Sequence, residues 1–263
     1  MIETTVVEYA EKQLESPVMV VGLPGIGLIG KLVAEHLIDE LKAEKIMEIF
    51  SPCLPPQVNV NADGTIKLVS NEIYAWKGDG NTPDLLLLVG DYQSVTNEGH
   101  YELAGIYLDI ADRFKVKRIY TLGGYGTGKM IEQPHVLYAT NTAKILEEVK
   151  GYGAMFNDGE LSGGIIGASG LILGLGELRG MEAVCFMGET SGYLVDPRSA
   201  QAVLAVLCKA LNLTVDTKEL EARAQEIEKI VTKIRELEQQ QQQQQMPAPP
   251  GPHDFTAEDK YIV

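Results

Sequence analysis

Gly25, Gly27 and Gly30 stand in the spacing G-x-G-x-x-G directly after an apolar run, and Lys31 follows the last of them. Glycines in that pattern let backbone N–H groups approach a pyrophosphate at a helix N-terminus. Residues 25–31 also fit the G-x-x-x-x-G-K of a phosphate loop. Leu32, however, stands where such a loop carries the Ser or Thr that holds magnesium, and Pro24 removes one backbone N–H. Glu44 and Glu48 flank the next strand, and neither ends it as a ribose-binding acid would. The segment reads either as a nucleotide-binding turn or as a tight strand-to-helix turn packed on neighbouring backbone.

A second glycine run, 123–128, ends at Lys129. Gly124 and Gly126 could form an anion nest with Lys129 as the counter-charge, or a mobile loop at the carboxyl end of a strand. The glycines between 163 and 176 read as close helix contacts. Covalent chemistry has thin support. There is no G-x-S-x-G elbow, and Ser94, Ser162, Ser169 and Ser191 have no assignable His and Asp partners. Asp91 and the pair Glu189 and Thr190 follow strand-like runs, where they could act as acid, base or hydroxyl ligand, or simply cap the next helix. His36, His100, His135 and His253 share no ligand spacing, and neither do Cys53, Cys185 and Cys208. No metal and no cofactor are expected, and the thiols read as buried or incidental in a reducing compartment.

Alternation of strand-like and helix-like runs must position these residues. Residues 18–23, and 84–89 after the leading Asp84, are apolar runs, as strands buried on both faces are. Further strands are expected at 45–50, 72–76, 118–122 and 183–187. Helices are expected at 26–41, 97–114, 140–150, 164–177 and 198–211. Residues 58–60 and 66–69 read as a hairpin turning at Asp63 and Gly64, after a proline-rich loop at 51–57. The order implies an α/β domain over residues 1–212, with a mixed, largely parallel sheet.

The chain has 263 residues and a formal net charge of −15, with 22 basic residues against 37 acidic. Phosphate backbones bind clustered Lys and Arg, so nucleic acid is not an expected partner. The first residues show no basic and apolar leader. No apolar run nears the roughly 20 residues that span a bilayer. The reading is a cytoplasmic protein with no membrane partner.

Beyond the domain, residues 213–240 form an expected amphipathic helix. Leu220, Ile227 and Ile234 recur every seven residues, with Ile230 and Leu237 on adjacent rows and Arg223 interrupting. The seam either lies back on its own domain or pairs with another helix. Residues 241–257 are a Gln- and Pro-rich tether, extended and poor at forming a core. Residues 258–263 close with Lys260, Tyr261, Ile262 and Val263. An apolar tip on a polar tether fits a docking peptide better than a core element.

Taken in order, residues 22–31, 51–57, 90–93, 123–128, 162–164 and 170–171 resemble the PAC2 family of archaeal proteasome-assembly chaperone homologues. The likeness runs over residues 2–212. It implies a three-layer α/β/α fold, phosphorylase- or hydrolase-like, in homo-oligomers. It also implies assembly chaperones or activator-like factors that dock on the proteasome α-subunit ring through a C-terminal hydrophobic–Tyr–any-residue tail, without catalysis. In that motif the Tyr is penultimate; here Tyr261 is third from the end and Ile262 is penultimate. The expected contacts are Lys260, Tyr261, Ile262 and Val263, their apolar groups filling pocket walls and the terminal carboxylate pairing with a lysine. The alternative is a nucleotide- or nucleoside-binding enzyme using Gly25, Gly27, Gly30 and Lys31, with Gly124, Gly126 and Lys129 opposite.

Overall fold

Two apolar side chains in succession on a strand must face opposite ways, and that rule builds this molecule. A computed structural model describes residues 2–156, 164–222 and 224–226. The chain divides into two compact units, Met1–Ala224 and Gln225–Val263. Of the second, only Gln225 and Glu226 are described. The tether, the terminal residues 258–263 and the heptad positions Ile227, Ile230, Ile234 and Leu237 lie outside the described residues, as do Ser162 and Arg223.

In the first unit the strands are β1 (Thr5–Glu8), β2 (Val18–Gly22), β3 (Glu44–Phe50), β4 (Val58–Val60), β5 (Ile66–Leu68), β6 (Asn71–Trp76), β7 (Leu85–Gly90), β8 (Arg118–Gly126), β9 (Val136–Thr140) and β10 (Glu182–Thr190). The helices are α1 (Ile29–Leu41), α2 (Asn97–Arg113), α3 (Leu146–Gly151), α4 (Ala168–Leu178) and α5 (Pro197–Leu211). Eight strands form one sheet in the order β1-β3-β6-β7-β2-β8-β10-β9, and β4 pairs only with β5. The neighbours β7, β2, β8 and β10 run parallel. β6, β3, β1 and β9 join through antiparallel pairings.

Met19, Val21, Leu86, Leu88, Ile119, Cys185 and Met187 face one way, into a core closed by α2 and α4. Val18, Val20, Leu85, Leu87, Tyr120, Leu122 and Phe186 face the other, into a core closed by α1 and α5, with Val149 of α3 added. The result is a mixed sheet between two helical layers. Burial of these side chains at about 25 cal/mol per Å² is the main force holding the layers together. Leu220 is buried in the second of these cores, and the Asp216 carbonyl lies 2.6 Å from Nε2 of His36.

Four differences from the sequence reading have physical causes. Residues 26–28 are a 3₁₀ turn rather than the first turn of α1. Gly27 and Leu28 take left-handed backbone angles, φ 67° and 52°, which no α-helix allows. Residues 136–140, to which the sequence assigned no strand, form one because their backbone pairs with β10 at the sheet's edge. Strand β1, Thr-Val-Val-Glu, is a short and mostly exposed edge strand with no long apolar run to reveal it. The helix expected from residue 140 is short, confined to a 3₁₀ turn at Ala143–Ile145 and α3.

The hairpin β4–β5 is held by charge rather than by a core. Lys67 reaches Glu72 at 2.7 Å and lies 3.9 Å from Glu48. Lys45 bridges the same two carboxylates at 3.4 and 3.2 Å. Tyr9 and Ser70 donate to Glu48 at 2.7 and 2.6 Å, and Tyr74 donates to Glu72 at 2.8 Å. Burial pushes both carboxyls up, but these hydrogen bonds and the lysine charges outweigh it, so both titrate below the usual range.

Candidate functional site

The parallel strands all end on one rim. β2 lies between β7 and β8, and the chain runs from β7 through α2 across to β8 on the far side. That switch in direction opens a crevice at the strands' carboxyl ends, where open α/β sheets place their sites. Gly22, Gly90, Gly124 and Gly188 all stand at this rim.

The first glycine loop is engaged with backbone. A Cβ on Gly22 would stand 2.3 Å from the Gly30 carbonyl oxygen, and one on Gly30 would stand 2.4 Å from that of Leu122. A Cβ on Gly124 would stand 2.4 Å from the Ile26 carbonyl oxygen. Glycine at these positions lets α1 seat directly on β2 and β8. The carbonyl of Gly27 accepts from Asp196 N–H at 2.9 Å, which ties the 3₁₀ turn to the start of α5. Lys31 does not face an open loop: its Nζ donates to the Gly90 carbonyl at 3.0 Å and lies 3.5 Å from Glu35. It neutralises the partial negative charge at the end of β7.

Gly25 and Gly126 are roomier, with their nearest neighbours at 3.9 and 3.8 Å. They border a cleft of about 610 Å³, together with Leu23, Ile26, His100 and Tyr125. Lys129 is exposed, and its N–H donates to Thr127 Oγ1 at 3.3 Å. Thr127 N–H in turn donates to the Thr190 carbonyl at 2.8 Å, joining this loop to the end of β10. The structure thus brings Gly25, Gly27, Gly30, Lys31, Gly124 and Gly126 to one rim.

Gln93 is the residue whose task the sequence did not announce. Its Nε2 donates to the Pro24 carbonyl at 2.6 Å, and its Oε1 accepts from Ala168 N–H at 2.9 Å. One side chain therefore pins the first glycine loop and caps the N-terminus of α4. Its signals were its place just after the end of β7 and its membership of the 90–93 segment.

The other candidates are also engaged. Asp91 accepts from Ser70 N–H at 3.2 Å. Glu189 accepts from both the N–H and the ring Nδ1 of His135 at 3.0 Å. Ser94 closes a turn with Thr96 at 2.9 Å, and Ser191 accepts from Tyr193 N–H at 3.4 Å. Burial pushes the Cys185 thiol up to about 11 and the Cys208 thiol likewise to about 11. Ile166, on the lining of the cleft, is 94% exposed. No helix among the described residues is long and apolar enough to cross a membrane. Lys260, Tyr261, Ile262 and Val263 lie outside the described residues.

A family model described as the PAC2 family matches residues 19–235. An uncharacterised protein of Methanocaldococcus jannaschii is 39% identical over 242 residues, 92% of each chain. The crystal structure of Pyrococcus furiosus PbaB, an archaeal proteasome activator, is similar with a TM-score of 0.86 and 40% identity, over 89% of this chain and 100% of that one. Pyrococcus furiosus PbaA, an archaeal homologue of proteasome-assembly chaperone, is similar with a TM-score of 0.74 over 92% of this chain and 95% of that one. At 23% identity that second likeness speaks for the fold.

Proposed function

The chain belongs to the PAC2 family, and from that premise we propose that it is a non-catalytic assembly chaperone or activator-like factor for the proteasome. The observation that carries this reading is the 40% identity to an archaeal proteasome activator over the whole of that chain. In this reading the α/β body displays C-terminal arms, and Lys260, Tyr261, Ile262 and Val263 dock on proteasome α subunits or the α ring in the cytoplasm. The ring of Tyr261 and the aliphatic Ile262 and Val263 fill an apolar pocket, and Lys260 tunes the approach.

One tail binds weakly. Self-association supplies several tails at once, and once the first is docked the others rebind at high effective concentration. The body is therefore proposed to be a homo-oligomer. The geometry of the glycine loops supports a structural task for them: Gly22, Gly30 and Gly124 are spent on backbone contacts, and Lys31 on the Gly90 carbonyl.

The test is co-elution of the full chain and of Tyr261→Ala/Ile262→Ala with the cognate proteasome α ring on size exclusion. The reading expects the full chain to co-elute and the variant to elute free while keeping its own elution volume. Equal co-elution of both would remove the tail from the account.

A further inference from the structure

The hairpin β4–β5 faces the wrong way for a solitary molecule. Cross-strand pairing sets Val58 opposite Leu68, Asn59 opposite Lys67 and Val60 opposite Ile66. Alternation then puts the four aliphatic side chains on one face and the two polar ones on the other. The polar face is turned to the body, where Lys67 meets Glu72 and Glu48. The aliphatic face is exposed: Val58 42%, Val60 71%, Ile66 67% and Leu68 46%. A hairpin that served only this chain's core would turn the other way, since a two-stranded sheet in water needs an apolar face covered to hold its shape.

We propose that this aliphatic face is a contact between copies of this chain, each hairpin packing against its counterpart. This rests on the self-association proposed above. Two observations select a second copy as the occupant. First, the pattern is its own complement. A half-turn about an axis in the plane of contact, parallel to the strands, sets Val58 over Leu68 and Val60 over Ile66 of the second copy, so aliphatic meets aliphatic when two such faces stack.

Second, residues 58–68 hold one acid, Asp63, and one base, Lys67, in a chain of net charge −15. Two copies repel one another over most of their surface, and the hairpin is a segment on which they can meet without bringing acids together. A strongly charged partner finds nothing to pair with on a face of Val, Ile and Leu. The four side chains fall short of the roughly 800 Å² per partner that a stable interface buries, so they form its apolar centre.

Sedimentation velocity of the full chain, of Val60→Glu/Ile66→Glu and of Val60→Thr/Ile66→Thr tests this. The Thr pair keeps β-branched residues, so it separates loss of association from loss of the hairpin; far-UV dichroism and thermal unfolding confirm that each variant is folded. The proposal expects an oligomeric wild type, a Glu variant at the monomer mass, and a Thr variant whose dissociation midpoint rises at least tenfold. An oligomeric wild type with both folded variants equally oligomeric would overturn the hairpin assignment and leave self-association standing. A monomeric wild type at micromolar concentration would overturn both.

Discussion

The backbone of Gly124 runs so close beneath the carbonyl oxygen of Ile26 that a Cβ on the glycine would stand 2.4 Å from that oxygen. This approach locks the carboxyl end of β8 onto the first glycine loop. Gly30 repeats it against Leu122. The first loop is thereby clamped to β8 at both Ile26 and Gly30, and a methyl group at either clamp must displace backbone rather than a flexible side chain.

Gly124→Ala and Gly30→Ala are each expected to destabilise the body by about 3 kcal/mol, the upper part of the range for overpacking. Gly174→Ala is the control: it lies in α4 with nothing within 4 Å. Removing a glycine from a helix interior there should stabilise by roughly 0.5–1 kcal/mol. Urea unfolding of the three variants reads the contrast. Equal effects at all three positions would mean that the close approaches do not matter.

Lys31 supplies the next expectation. Its Nζ is held by the Gly90 carbonyl at 3.0 Å, so Lys31→Met should cost about 1.5–3 kcal/mol of stability, the worth of a hydrogen bond from a charged group. Neither the wild type nor the variant should gain thermal stability with millimolar ATP or NAD. A ligand that binds the folded state raises stability by RT ln(1 + [L]/Kd). A rise in Tm in the wild type that disappears in Lys31→Met would restore the phosphate-loop reading.

Much of this architecture is legible in the chain. The runs around Val20, Leu87 and Phe186 are apolar without a break, and each becomes a central strand buried on both faces. The edges are not legible in the same way. The residues of β1 and β9 owe their conformation to pairing with β3 and β10, far away in the chain. The glycine spacing could not by itself separate a phosphate from a carbonyl as the thing approached, because both need the same missing Cβ. Lys31 shows the difficulty: its partner is a backbone oxygen 59 residues on, a contact only the fold creates. The register of the 58–68 hairpin follows from its pattern, but which face it offers the body is set by Glu48 and Glu72.

Acid should loosen this hairpin first. Glu48 and Glu72 titrate below their ordinary values in the folded chain. A lowered folded pKa means stability that is complete above the unfolded value of about 4.3 and drains away as pH falls through the folded one. Wild-type Tm should therefore drop steeply below about pH 4, while Glu48→Gln/Glu72→Gln starts lower at pH 7 and loses less on acidification. Parallel Tm curves for the two proteins between pH 7 and pH 3 would contradict the network's role.

The cysteines give a check on the core. Cys185 is fully buried and its thiol is pushed up to about 11 by burial. At pH 7 its thiolate fraction is on the order of one in ten thousand, and Cys208 shares the raised value. Cys53 is half-buried in the 51–57 loop, 3.6 Å from Glu102. A single maleimide adduct, at Cys53, is expected by mass spectrometry of the native protein, with all three cysteines modified only after unfolding. Rapid labelling of Cys185 would mean that the cleft opens to the core.

The body is proposed to reach a proteasome α ring through its terminal residues. Sedimentation of the α ring with the full chain, and with a chain ending at Asp254, tests that claim most directly. A faster-sedimenting complex is expected with the full chain and free components with the shortened one, whose body keeps its own sedimentation coefficient. A complex of equal strength with the shortened chain would place the contact on the body. Free components with the full chain would remove the proteasome from the account.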